Sequence, residues 1–468
     1  MRLLPSIPAL NTRQQTLAAG MFWLTIGMCP AAPAGGQTLG SDRLQISGSL
    51  SVDRAVQIGL QENLMIRASR ADARAMAAET GVARSQTRPQ VSANTYLSYG
   101  DSPNILSTVG GVMPTNYLTV PQKGLADQNL TLMVPLYTGG RLGQAVQAAM
   151  ERERAAQADT DGVQADTVLK IKGACYRSLL AVETVRVAQA RMDAASEMVR
   201  TTQALFAAGK GLESSVRRVE AELADAQRVV TTATNAQVKA LLDLKAAMGV
   251  RLDSVIALSD PLTYAPPRGD LNSYLTQAGR SRPELRAAQA RLASARHQTG
   301  ATRSAQGAQV YGMAMVDGFT SQPTGTRSGY TVGLVASFPL LDGGQRRSET
   351  AAAKAQEERT VAELRDLELR VANEVQQAWL DVETAAQNYR TAQSALQSAE
   401  EADEGIVLRV QNQKSLLVEQ LDALAALTQA RGNVALALFD HSTAMAQLER
   451  AAASTASNPS TEATTGGK

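Results

Sequence analysis

Few side chains in this sequence are placed to do covalent or metal chemistry. The two histidines, His297 and His441, each lie inside a helical run and far from any cysteine, so no metal cluster of the usual nitrogen and sulfur type is expected. Cys175 shares an apolar stripe with Ile171, Leu179 and Val182, the setting of a packed core thiol; nothing else supports a Cys–His nucleophile pair. Gly139-Gly140 and Gly343-Gly344 lack the Lys-Ser/Thr or third glycine of a phosphate cradle. They read as tight strand-to-helix turns, each preceded by a proline, Pro135 and Pro339. The expectation is a protein that is not an enzyme and holds no metal or other cofactor.

The remaining candidates are charges beside two breaks in the helical pattern. Glu419 and Asp422 are three residues apart and share a helix face just past the second break. Arg217 and Arg218 occupy nearly equivalent places past the first. As a charge pattern alone, this is a solvated face. Several chains around a pore would instead turn one acidic pair per chain into a ring of negative charge at a constriction. The choice depends on the elements that carry these charges.

Composition points to long helices. Alanine dominates runs of helical period, aromatics are 4% of the chain, and Trp379 is the one tryptophan outside the N-terminus. A large globular core relies on Leu, Ile, Phe and Trp; abundant alanine suits helices packed closely side by side. The net charge of +2 is spread over interspersed charges of both signs, without a basic stripe, which argues against nucleic-acid binding. At the N-terminus, Arg2 and Arg13 precede the apolar stretch Thr16–Met28, and Ala32-Pro33-Ala34 resembles a cleavage site, so residues 1–36 read as an export signal. Met28 is too large to precede a lipidated Cys29. Ordinary cleavage would leave Cys175 alone, with no intrachain disulfide. No later stretch approaches 18 apolar residues, so only short strands remain as candidates for crossing a bilayer.

The chain is one unit written twice. Val134-Pro-Leu-Tyr-Thr-Gly-Gly140 repeats as Phe338-Pro-Leu-Leu-Asp-Gly-Gly344, and Gly81–Val91 lines up with Gly300–Val310. The first repeat, 37–249, is expected to hold a helix over 51–87, a strand over 88–100, a loop over 101–127, a strand over 129–137, a long helix over 141–208 and a shorter helix over 212–248. After a linker over 250–269, the second repeat, 270–453, follows suit. Its helix covers 270–306, its strands 308–319 and 330–341 flank a loop over 320–329, and helices over 345–412 and 416–449 end it. The tail 454–468 is Ser/Thr/Gly-rich and expected to be disordered.

Lengths set the architecture. A helix of about 68 residues spans roughly 100 Å and one of about 37 roughly 55 Å, so two short helices end to end match one long helix. Leu364, Leu367, Val371, Val375, Ala378 and Val382 give a seam of coiled-coil type. The four strands have the length that crosses an outer membrane at a tilt. Four strands cannot close a barrel and open edges are not tolerated in lipid, so a membrane barrel needs several chains. The other reading is a small soluble sheet capping a helical bundle.

The duplicated Pro-Leu-x-x-Gly-Gly turns, the segments Cys175-Tyr-Arg-Ser-Leu-Leu180 and Ala378-Trp-Leu-Asp-Val382, the Leu205-Phe-Ala-Ala-Gly209 break and the ending Gln429–Arg450 together resemble the TolC family of outer-membrane channels. The resemblance runs from about residue 50 to 450. It implies a mainly α fold with a membrane β-barrel, built from a duplicated helix-strand-strand-helix-helix unit. A homotrimer would form a twelve-stranded β-barrel in outer-membrane lipid and a twelve-helix periplasmic α-barrel. It places the turns Gly209–Leu212 and Lys414–Leu417 at the closed periplasmic end, and the family's acidic positions on Glu419 and Asp422. Val410 and Ser415 stand where some members carry a tyrosine and an arginine that lock the entrance, and Ser215 replaces a frequent acid. Arg217 and Arg218 are then the nearest groups to neutralise the acids. Gly209, Gly211, Leu212, Ser415, Leu416 and Leu417 are small or apolar and suit contact with a periplasmic membrane-fusion adaptor. The implied function is the passive outer-membrane duct of a tripartite efflux system fed by an inner-membrane efflux transporter. The alternatives are the duct of a type I protein secretion system and a soluble periplasmic coiled-coil scaffold.

Overall fold

The computed structural model describes residues 44–99, 124–321, 325–411 and 417–453. The expected leader with Cys29, most of the 101–127 loop, Lys414, Ser415, Leu416 and the tail 454–468 lie outside these residues. Strand β1 (Ser47–Leu50) leads into the first repeat: helices α1 (Val52–Glu62) and α2 (Leu64–Ser85), strands β2 (Gln90–Tyr99) and β3 (Gly124–Tyr137), then helices α3 (Arg141–Ala207) and α4 (Glu213–Met248). Strand β4 (Val255–Leu258) precedes the second: α5 (Leu271–Ser281), α6 (Pro283–Ser304), β5 (Gln309–Ser321), β6 (Gly325–Ser337), α7 (Gln345–Gln411) and α8 (Leu417–Ala451). The long helices α3 and α7 are 67 residues each, as the alanine-rich periodicity requires.

The shorter expected helices are corrected in the same way in both repeats. The run over 51–87 breaks at Asn63 and that over 270–306 breaks at Arg282. Asn63 is extended, with ψ 125, and its Oδ1 accepts the Met65 N–H at 2.8 Å, which caps α2. Its amide nitrogen donates to the Ala247 carbonyl at 2.9 Å. Arg282, with ψ 122, precedes Pro283, and a residue before proline is pushed out of the helical region. Its guanidinium donates to the Ala451 carbonyl at 3.2 Å. Each break therefore receives the C-terminal end of its own repeat's short helix, α4 or α8. Gly249 ends α4 with φ +81, where a Cβ would come within 2.9 Å of the Glu62 carbonyl oxygen, so the close approach requires glycine.

Four further expectations are corrected. The 250–269 linker contributes β4, which pairs in parallel with β1 from Ser47↔Val255 to Leu50↔Leu258, a contact too remote in sequence to show locally. The first loop gives way to β3 at Gly124. The second shrinks because Gly325–Gly329 pair with Asp317–Ser321, the ladder overriding a turn-like composition. The final strand stops at Ser337 rather than 341.

Strands β2, β3, β5 and β6 lie in that order in one antiparallel sheet. Residues directly opposite one another share a face, so the register sorts the two surfaces. On one face run the rows Ala93–Leu130–Val316–Tyr330 and Val91–Leu132–Ala314–Val332, followed by Val134–Gly312–Leu334. The other carries Ser92–Thr131–Met315–Thr331 and Asn94–Asn129–Asp317–Gly329, where the Asn94 amide donates to Asn129 at 3.0 Å. One side is apolar and largely exposed; the other is polar. A sheet of this kind faces lipid outside and water inside.

Below the sheet, Val371, Val375, Ala378 and Val382 of α7 pack with Tyr274, Leu285 and Leu448, and Leu364 and Leu367 flank them, so the expected seam is present. A second cluster gathers Ile58, Ile171, Cys175, Leu244, Met248, Val250 and Ile256. Val182 is left out of it and is 41% exposed, which corrects the stripe drawn through it.

Burial, with a smaller contribution from the charge of Asp260, pushes the Cys175 thiol up to about 12. It therefore stays protonated and inert at neutral pH, since the thiolate is the nucleophile. A maleimide offered at pH 7 should leave Cys175 unmodified in the folded protein and label it fully in denaturant, as mass spectrometry would read. Fast labelling of the native protein would contradict this packing.

Candidate functional site

The strand-to-helix turns serve to position the site. Gly139 and Gly140 have φ of +60 and +85, and Gly343 and Gly344 of +60 and +91, the left-handed region that glycine enters without strain. A Cβ on Gly139 would also crowd the Ser304 carbonyl at 3.1 Å. Pro135 sits at a β-bulge in β3, and the Pro339 carbonyl accepts from Arg346 at 3.0 Å. Asp342 accepts from the Gly344 and Arg346 backbone N–H groups, both at 3.1 Å. The Arg346 side chain pairs with it at 2.5 Å and, with these N–H groups, holds its carboxyl down to about 2. That carboxylate fixes the turn as a cap; it is not poised to move a proton.

At the opposite end of the long helices, α3 turns into α4. Gly209 has φ +75, its N–H donates to the Phe206 carbonyl at 2.8 Å, and the Lys210 N–H donates to Leu205 at 2.9 Å, a Schellman-type closure. A Cβ on Gly211 would lie 3.1 Å from the Phe206 nitrogen, so the returning chain crosses where only glycine fits comfortably. Leu212 follows, 70% exposed at the tip. In the other hairpin, Leu417 opens α8, while Ser415 and Leu416 fall outside the described residues.

Leu417, Leu421 and Leu424 join Met198 and Val219 in a small cluster that seats the start of α8 on the α3–α4 hairpin. These leucines form one stripe at 100° per residue, which turns Glu419 and Asp422 to the opposite side of the helix. Both acids are exposed. Arg217 pairs with Glu213 at 3.4 Å and Glu220 at 3.2 Å on its own helix. Arg218 is exposed beside it.

Spacing does not reveal the ion pairs that hold each hairpin together above its tip. Half-buried Arg191 of α3 reaches Glu222 at 2.5 Å and Asp225 at 3.1 Å on α4, and Arg431 of α8 reaches Glu400 of α7 at 3.4 Å. The partners lie 31 residues apart in both the Arg191–Glu222 and Glu400–Arg431 pairs, across a turn, and only the folded hairpin brings them together.

The residues weighed for chemistry have structural places. His297 Nδ1 lies 2.7 Å from Gln144 Oε1. His441 is buried against Tyr264, ring centroids 4.5 Å apart, and burial holds its pKa below the usual histidine range. Among the described residues, no group of three or more His, Cys, Asp or Glu is placed to hold a metal ion, and no helix is long and apolar enough to cross a membrane.

The model of a family described as outer membrane efflux protein matches residues 55–250 and 274–454. Protein CyaE of Bordetella pertussis (strain Tohama I) is 27% identical over 368 residues, covering 75% of this chain and 72% of that protein. The outer-membrane channel OprN has a similar structure, with a TM-score of 0.72 at 20% identity over 88% of this chain and 93% of that one. The Neisseria gonorrhoeae MtrE outer membrane channel, solved in its open state, gives 0.70 at 19% identity over 86% and 88%. The fold is that of these channels: a β-barrel sheet continued into a helical barrel.

Proposed function

Because the chain belongs to the outer membrane efflux protein family, we propose that it is the passive duct of a tripartite pump, closed as a homotrimer and fed by an inner-membrane transporter through a periplasmic membrane-fusion adaptor. It is an outer-membrane efflux channel with a periplasmic extension. The observation that carries the assembly is the four-stranded sheet with one apolar face and two unpaired edges, β2 and β6, among the described residues. Three copies supply twelve strands, enough to close a barrel wide enough for a channel. The helices continue directly from the strands, so closing the sheet closes the helical wall below it. Transport energy comes from the inner-membrane partner.

The hairpin tips are the docking ends. Gly209, Gly211 and Leu212, with Ser415, Leu416 and Leu417, offer small and apolar residues that let adaptor helices approach. Glu419 and Asp422 line the periplasmic constriction, two per chain and six in a trimer. Arg217 and Arg218, placed just past the first turn as the acids are just past the second, share that entrance with them.

In mild detergent the protein should run as a trimer from the outer-membrane fraction, and deleting it should raise the sensitivity of its host to the pump's small-molecule cargo. A stable monomer would overturn the assembly. Loss of a secreted protein with unchanged drug sensitivity would move the chain to protein secretion.

Leu212→Arg, at the 70% exposed tip, should abolish export while leaving trimers intact, because the bulky charge blocks close approach by adaptor helices. Normal export by that trimer would remove the docking role.

Glu419→Gln combined with Asp422→Asn should reduce cation preference in planar bilayers and weaken block by multivalent cations. Wild-type selectivity and block in the double variant would leave these acids as a solvated face.

A further inference from the structure

The two strand-to-helix turns share a sequence motif but not a charge pattern. Asp342-Gly-Gly-Gln-Arg346 of the second stands where the first has Thr138-Gly-Gly-Arg-Leu142. The second turn closes on itself. Its Asp342 carboxylate takes the Gly344 and Arg346 N–H groups and the Arg346 side chain. The rest of that guanidinium donates to the Gln306 and Pro339 carbonyls, at 3.3 and 3.0 Å. Anion and cation are both consumed within the turn.

The first turn has the cation without the anion. Thr138 replaces the acid, and no side chain caps the start of α3. Arg141 carries the charge instead. Its Nη2 donates to the Tyr311 hydroxyl at 3.2 Å and, more loosely, to Gln309 Oε1 at 3.5 Å. Tyr311 in turn donates to Gln309 at 2.9 Å, which fixes both acceptors. Nε is buried without an acceptor, and Nη1, which is not buried, makes no hydrogen bond among the described residues. Nor does Arg141 join any ion pair among them. A guanidinium keeps its charge throughout the physiological range, so this one is a fixed cation short of acceptors.

The sheet shows which side the cation serves. Gln309 and Tyr311 alternate along β5 with the same parity as Met315 and Asp317, so they belong to the polar face. Arg141 therefore lies across that face at its helix end, and this is the face that turns to water when the sheet closes. Strands β3 and β5 are the two inner strands, so the seam it spans lies inside the chain rather than at a join between copies. Asp317, the next acid on this face of β5, is six residues above Tyr311, about 20 Å away. Glu419 and Asp422 lie near the far end of the long helices, roughly 100 Å below. Both distances exceed the screening length of about 8 Å at physiological salt, so neither acid group neutralises Arg141.

We propose that Arg141 is a specificity-determining residue of the duct. One guanidinium per chain, three in the trimer, rings the base of the barrel lumen and binds the carboxylate or phosphate group of small anionic cargo on its way out. The proposal rests on the trimeric duct of the preceding subsection and adds a cargo chemistry to it. In the second turn the chain's own carboxylate is the partner; in the first, a carboxylate from solution takes that part. Charge-assisted hydrogen bonds to carboxylate or phosphate are the strong ones a guanidinium makes. Lipid phosphate lies on the opposite side of the sheet.

The test uses single trimers of the full chain in a planar bilayer of phosphatidylcholine, whose headgroup has no net negative charge. Citrate is added on the extracellular side at low salt. Wild-type channels should show block that deepens with citrate concentration. Arg141→Gln should need about tenfold more citrate for half block, the loss of one charge-assisted contact. Thr138→Asp gives the first turn the second turn's carboxylate and leaves Arg141 in place; like-charge repulsion should weaken its block as well. Conducting wild-type trimers that citrate does not block, or Arg141→Gln trimers blocked as wild type, would overturn the anion site while sparing the duct. A wild type that neither trimerises nor conducts would overturn both. Should Arg141→Gln fail to assemble, Thr138→Asp still decides, and unchanged block in that variant would overturn the site.

Discussion

An unpaired backbone N–H or C=O in hydrocarbon costs several kcal/mol, and this constraint organises the molecule. Among the described residues, four strands form one sheet with two open edges. In water a short sheet of this kind could be blunted with charges; in lipid it must be closed by pairing. Closure by identical copies demands that the outer edge of the first repeat fit the outer edge of the second. Duplication meets that demand cheaply, because the inner β3–β5 junction already presents the same two kinds of edge to each other.

The same constraint reaches the helices through the strand-to-helix turns. A strand tilted in the membrane must become a helix wall without a gap, and the left-handed glycine pairs turn the chain within two residues. The long helices run on unbroken from there, while the breaks at Asn63 and Arg282 let two shorter helices share a column. Both repeats place a side-chain donor on a carbonyl at the end of the incoming helix, but with different chemistry. Asn63 uses a neutral amide, whereas Arg282 sits in a charged group with Glu284 and Glu374, and neighbouring Arg450 reaches Asp166 and Glu284. Replacing Glu284 would take a carboxylate from both buried arginines, Arg282 and Arg450, a larger penalty than losing a neutral amide.

The long helices were legible because a 3.6-residue period sustained over some sixty residues averages out local noise, and glycines mark where it stops. The strands were legible as elements but not at their ends. Gly325–Gly329 have a loop's composition and become strand because β5 lies beside them, and Phe338–Leu341 has a strand's composition and no strand beside it among the described residues. The breaks were signalled, by a capping asparagine and by Arg282-Pro283, yet the surrounding apolar period hid them. The pairing of β1 with β4 joins segments about two hundred residues apart and leaves no local trace. For the entrance, the sequence placed Glu419 and Asp422 on one face; only the packing of Leu417, Leu421 and Leu424 shows which way that face turns.

That packing also decides what holds the start of α8 against its own hairpin. Burying a leucine contributes about 1.5–3 kcal/mol, whereas an exposed ion pair contributes about 0–1 kcal/mol. Arg217 is 71% exposed, as is most of Glu213 beside it, so its pairs belong to the weaker class. Leu424 is nearly buried among Met198 and Val219, and it belongs to the stronger. The apolar stripe therefore fixes the start of the helix, with Glu419 and Asp422 on its far side. The division of labour follows from helix geometry: one face of the first turns of α8 is spent on leucines, which leaves the opposite face to Glu419 and Asp422.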